Sequence, residues 1–278
     1  MRAHEIRVCI LIDSSNARQR RKCFWPQALQ EWQKPGALGS RLVWQEVALQ
    51  EVVAQGKHLD LRQYDVVVVN WDLLNGDPVF LSDRSQLIAR HYATDLRHFV
   101  RRGGLAIVEC QAVMWSPCQP AYDCIITAAG LPGLRVVDSS SVGFGFSVRP
   151  EKRLLGHHPF LPEALGQLVR PVESEWSLRG DWFPESSVSM RVLQEFEGTR
   201  NRMYSGAFAR TRKREWLPLL FAEDGRHPVA CLYHERDEGA YLATTMYLAA
   251  ANVSELLRPM TVDWHASRPG LNIHIARR

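Results

Sequence analysis

Four cations, Arg18, Arg20, Arg21 and Lys22, stand close together just after Ser14, Ser15 and Asn16 and shortly before Pro26. Proline suits the first position of a helix. The cluster therefore precedes a helix start, where positive charge opposes the helix dipole unless an anion is bound. It suits a phosphate or an acidic partner surface, with a solvated loop as the alternative. A second run, Arg210, Arg212, Lys213 and Arg214, carries the same two readings. Tyr204, Phe208 and Trp216 lie near it, so it would also suit single-stranded nucleic acid, whose bases stack on aromatic rings between cationic contacts.

Thiolate and imidazole ligands are available at Cys110, Cys118, Cys124, His157 and His158. No CxxC pair occurs among them, so a metal is not expected, and small buried hydrophobes are the alternative reading of the cysteines. No other cofactor is expected either. His157, His227 and His265 have no partner suggested by sequence, and each is expected to be solvated or hydrogen-bonded. Six cysteines in 278 residues are too sparse for a disulfide scaffold and suit a reducing compartment.

These side chains need elements to hold them. Ile6 to Ile12, Tyr64 to Asn70 and Leu105 to Val108 are short, apolar, mostly β-branched runs separated by helix-length segments. That pattern predicts parallel strands covered on both faces, adjacent or nearly so. Ser40 to Val47 suits a further strand. Helices are predicted from Pro26 to about Lys34, from Ala48 to Gln55, and over Ser82 to Arg102. In the last, Leu87, Ile88, Tyr92, Leu96, Phe99 and Val100 follow the three-four rhythm, and Arg101, Arg102 and Gly103 form a suitable C-terminus. Leu134 to Val137 and Val142 to Val148 suit strands, as does Leu217 to Ala222. Pro228 to His234 and Ala240 to Met246 suit a hairpin across Glu235 to Gly239, and Ala249 to Arg258 suits a short helix.

The expected architecture is α/β: a mostly parallel, flavodoxin-like sheet with helices on both faces and a late hairpin. One domain over residues 1–278 is expected, with an irregular insertion at about 170–215 and a tail at about 259–278. Apolar residues make up 46% and charged residues 23%, ordinary for a globular protein. No apolar run is long enough to span a bilayer, and no signal-peptide core precedes the first strand, so a cytoplasmic location without membrane contact is expected. The net charge of +4 does not by itself argue for nucleic acid.

In open parallel sheets, ligands lie beyond the carboxyl ends of the strands. That rule gathers Asp13, Ser14, Ser15, Asn70, Asp72, Glu109, Cys110 and Gln111 at one edge, the candidate ligand site.

The order of the pieces resembles the class I glutamine amidotransferase-like fold, in particular its ThuA-like branch. Tyr64-Asp65 opens a four-valine strand, and Leu96-x-x-Phe99-Val100-x-x-Gly103-Gly104 leads into the next. His158-Pro159 followed by Leu165 resembles the family's His-Pro segment, and Pro228-Val229 through Gly239 to Thr244-Thr245 resembles its late hairpin. The resemblance covers residues 5 to 250, apart from the 170–215 region. It implies a nucleophilic cysteine in the slot occupied by Cys110. The family flanks that elbow with glycines, whereas Glu109 and Gln111 stand here. A neighbouring carboxylate also raises a thiol pKa. The family's His-Pro-Glu is absent as such, leaving His234 and Glu235 on the late hairpin as candidate catalytic partners.

The favoured expectation is a non-catalytic amidotransferase-like module that binds a ligand or partner protein as a subunit of a larger assembly. The alternatives are a cysteine-dependent hydrolase or amidotransferase using Cys110, and a nucleic-acid-binding accessory protein using the arginine clusters.

Overall fold

The structure is a computed structural model that describes residues 4–12, 25–32, 40–48, 55, 58–69, 93–110, 131, 134, 136–137, 144–145, 148–155, 204–205, 207–208, 216–235 and 239–246. Its strands are β1 (His4–Ile12), β2 (Ser40–Ala48), β3 (Val66–Val69), β4 (Leu105–Glu109), β5 (Val136–Val137), β6 (Phe144–Gly145), β7 (Arg149–Pro150), β8 (Tyr204–Ser205), β9 (Ala207–Phe208), β10 (Leu217–Phe221), β11 (Pro228–Glu235) and β12 (Gly239–Thr244). The helical stretches are α1 (Trp25–Trp32) and α2 (residues 93–101).

An eight-stranded mixed sheet organises these elements in the order β2-β1-β3-β4-β12-β11-β10-β7. β2, β1, β3, β4 and β12 run parallel, and β11, β10 and β7 continue antiparallel. The three strands expected to lie together, β1, β3 and β4, are immediate neighbours, as their short apolar runs, broken only by Arg7 in β1, predict. All four residues of β3 and all five of β4 are buried. Only a strand covered on both faces tolerates that composition.

Successive side chains of a strand leave by opposite faces, and the core divides accordingly. Val8, Ile10 and Ile12 of β1 join Val66, Val68, Leu105, Ile107 and Leu242 in one apolar cluster, which also takes Trp25 and Leu29 from α1. Cys9 and Leu11 join Val67, Val69, Ala106, Val108, Cys110 and Ala243 in the other, with Leu96, Phe99 and Val100 from α2. Each fully buried leucine, valine or phenylalanine contributes about 1.5–3 kcal/mol, so these clusters dominate the stabilisation of the sheet.

The end of α2 follows from its sequence. Gly103 takes a φ of 91°, a left-handed conformation that glycine adopts without penalty. Gly103 N then donates to Val100 O and Gly104 N to Phe99 O, the two bonds of a Schellman cap. The chain turns directly into β4.

Some expectations change. Ala48, expected to open a helix, is the last residue of β2, in register with Ile12. Of the strand expected over Val142 to Val148, Phe144 and Gly145 form β6 and Val148 belongs to no strand, the other residues lying outside the described ones. Pairing to the main sheet is made by β7, whose Pro150 sits on an edge strand where its missing N–H costs nothing. Within the region expected to be irregular, β8 pairs with β6 and β9 with β5. The helix expected over Ala249 to Arg258 lies outside the described residues.

Candidate functional site

Parallel strands place their carboxyl ends at one edge, and the register fixes which residues share it. Leu11 is level with Val69, Val69 with Val108, and Val108 with Ala243. One step further, Glu109 is level with Thr244, and Cys110 N donates to Thr244 O at 2.6 Å.

Among the described residues, the buried polar or charged side chains are Glu109, Thr244 and Thr245. All three sit at this edge, at the ends of β4 and β12. The Thr244 hydroxyl donates to Val229 O at 3.0 Å and accepts Met246 N at 2.9 Å, while Thr245 N donates to the same Val229 carbonyl at 2.9 Å. These bonds hold the chain in place as it leaves β12. A buried carboxylate is costly unless hydrogen-bonded or paired, and Glu109, at 1% exposure, is engaged in a polar interaction.

Cys110 lies beside Glu109, wholly buried, with its thiol 3.9 Å from Val108 O. Burial pushes its pKa up, and the nearby Glu109 carboxylate and Cys231 thiol push it further the same way. The thiolate is the nucleophile of cysteine chemistry, so this environment opposes attack by Cys110 at neutral pH. Cys9 and Cys231 are likewise buried free thiols raised by burial.

His234 and Glu235 are not brought to Cys110. His234 is level with Ala240, and Ala240 with Leu105, the first residue of β4. Five residues of extended strand separate that level from Cys110, about 16 Å. Glu235 instead accepts a 3.0 Å bond from Arg101 Nε at the end of α2. These two residues and Cys110 occupy opposite edges of the sheet.

Asp13, Ser14, Ser15, Asn70, Asp72 and Gln111 lie outside the described residues, as do Arg18, Arg20, Arg21, Lys22, Arg210, Arg212, Lys213 and Arg214. So do Cys118, Cys124, His157 and His158. Among the described residues, no group of three or more His, Cys, Asp or Glu side chains is arranged to hold a metal ion. No helix among them is long and apolar enough to cross a membrane.

Sequence reasoning did not single out Thr244 and Thr245 as site residues. Their position was signalled by the resemblance of the late hairpin, which ends on Thr244-Thr245, and by polar residues following the apolar run Tyr241 to Ala243. Comparison of the chain with protein-family models finds no match, and comparison with curated proteins finds none either.

Proposed function

We propose that the protein is a non-catalytic, amidotransferase-like binding module whose carboxyl edge receives a ligand or partner protein within a larger assembly. The observation that carries this reading is Cys110 itself. Its thiol is wholly buried and held protonated by burial and by Glu109, and its backbone is tied to Thr244.

The parallel order β2-β1-β3-β4-β12 supports a flavodoxin-like architecture, with α1 and α2 covering opposite faces. The antiparallel β11 between β10 and β12 supports the late hairpin of the ThuA-like branch. In this reading Glu109, Thr244 and Thr245 are the polar floor of the binding edge, and residues that follow β1 and β3 in sequence, such as Asp13 and Asn70, supply the contacts. The protein acts in the cytoplasm as one domain.

The test is thiol chemistry. The native protein should resist an electrophilic glutamine analogue and iodoacetamide at Cys110 at neutral pH. It should also show no glutamine or activated-ester hydrolysis that disappears in Cys110→Ala. Rapid, selective labelling of Cys110 together with such a Cys110-dependent activity would replace this reading with a cysteine hydrolase.

A further inference from the structure

The opposite, amino edge of the sheet carries a second feature. A cavity of about 380 Å³ opens there, between the segment that enters β3 and the last turns of α2. Its lining includes Arg62, Arg101, Arg102, His58, His98 and Asp60. Leu59 and Leu61 are buried beneath it, and Asp95 ties its walls together by accepting Leu59 N at 3.1 Å while lying 3.5 Å from His58 Nδ1.

Two of the guanidinium groups are preset. Arg62 donates from Nε and Nη2 to the two oxygens of Asp60, each at 2.9 Å. Arg101 donates from Nε to Glu235 at 3.0 Å. A guanidinium has five N–H donors in a rigid fork. Each of these arginines is therefore held in place by part of its fork, with further donors left over for a ligand. Arg102 makes no ion pair among the described residues. It follows the last turn of α2, where a cation is favoured by the helix dipole.

The lining stays open to solvent, with side-chain exposures of 78% at His58 and 74% at Arg62. A small molecule in a typical pocket is mostly enclosed. A rim this exposed fits the projecting side chains of a macromolecular surface better, and its guanidinium forks match carboxylates.

We propose that this amino-edge cavity is a docking site for an acidic peptide segment of a partner protein, with Arg102 as the central contact and Arg62 and Arg101 as preset flanking donors. The site is independent of the carboxyl edge, so the outcome of the Cys110 test leaves it untouched.

Binding of fluorescent decaglutamate to the full chain, followed by anisotropy at two salt concentrations, tests the proposal. The expected result is salt-dependent binding that Arg102→Glu weakens by about fivefold or more at low salt. Arg226→Glu, an exposed charge reversal in the turn between β10 and β11, should leave it unchanged. Circular dichroism establishes that both variants are folded, and Arg102→Gln should give an intermediate loss. The proposal is overturned if decaglutamate does not bind, or if Arg102→Glu binds as well as Arg226→Glu. It is also overturned if the loss follows Arg18/Arg20/Arg21→Glu instead. Equal binding of inorganic phosphate, or tighter Arg102-dependent binding of single-stranded DNA, would assign the cavity to a different ligand and likewise sink it.

Discussion

Gly239, the first residue of β12, stands so close to the end of α2 that a Cβ on it would lie 2.1 Å from Val100 O. The same atom would lie 2.5 Å from Gly104 O, which accepts Ala240 N at 3.1 Å. Two segments more than a hundred residues apart in the chain thus meet backbone to backbone, and this contact aligns β12 beside β4.

Gly239→Ala is expected to destabilise the fold, because the obstructing atoms are main-chain carbonyls held by the cap of α2 and by Ala240 N. Overpacking of this kind costs about 1–3 kcal/mol. The measurement is the urea midpoint. A midpoint equal to wild type would mean that the strand and helix end shift apart freely, and the alignment argument would fail.

At Cys110 the two small replacements should separate. Cys110→Ala removes one buried sulfur from an apolar cluster. Cys110→Ser places a hydroxyl in the same wholly buried space, where an imperfectly bonded polar group costs about 1–3 kcal/mol. Serine should therefore be the less stable variant by thermal melting. A serine variant at least as stable as alanine would show that the pocket offers a good hydrogen-bond partner, and would reopen a polar role for this position.

The frame of the fold was legible because its signals are local. Four consecutive valines admit a buried strand, and Arg101-Arg102-Gly103 admits a helix end. The adjacency of β1, β3 and β4 followed from those runs. The insertion of β12 beside β4 is a long-range pairing, carried in the sequence only by the resemblance of the late hairpin. The separation of His234 from Cys110 is a matter of register along antiparallel and parallel neighbours, and no residue type reports register. The amino-edge cavity was missed because Asp60, Arg62, Asp95 and Arg102 look like ordinary surface charge when read one at a time. Only the fold places the β3 entry against the end of α2.

Asp60 gives a pH dependence with a definite sign. Hydrogen bonds from the Arg62 side chain, then from Arg62 N–H, hold its pKa down from 3.8 to about 2. A carboxylate depressed in the folded state adds stability that is fully present above its unfolded pKa and disappears as pH falls through the folded one. The contribution should therefore be lost between pH 3.8 and about 2. Because Asp60 is exposed, the effect is small, but Asp60→Asn should remove it. A plot of melting temperature against pH should fall less steeply over that window in the variant than in wild type. Parallel curves would mean that the Arg62 contact persists in the unfolded chain or does not form.

Thr244 offers the sharpest test of how the carboxyl edge is built. Its hydroxyl is both donor to Val229 O and acceptor from Met246 N, and it is buried with Glu109 level beside it. Thr244→Val preserves shape while deleting both bonds, and a buried group deprived of its partner costs about 1–3 kcal/mol. Thr244→Ser keeps the hydroxyl and deletes one methyl, a loss of about 0.8 kcal/mol in burial. If the hydroxyl holds the chain as it leaves β12, valine should be the more damaging replacement by denaturant midpoint. Hydrogen exchange at Met246 N–H should accelerate in the valine variant and stay slow in the serine variant. If the stability order is reversed, or if exchange at Met246 is the same in both, the edge is held by packing rather than by the Thr244 hydroxyl. The polar floor assigned to the binding site would then reduce to Glu109 and Thr245.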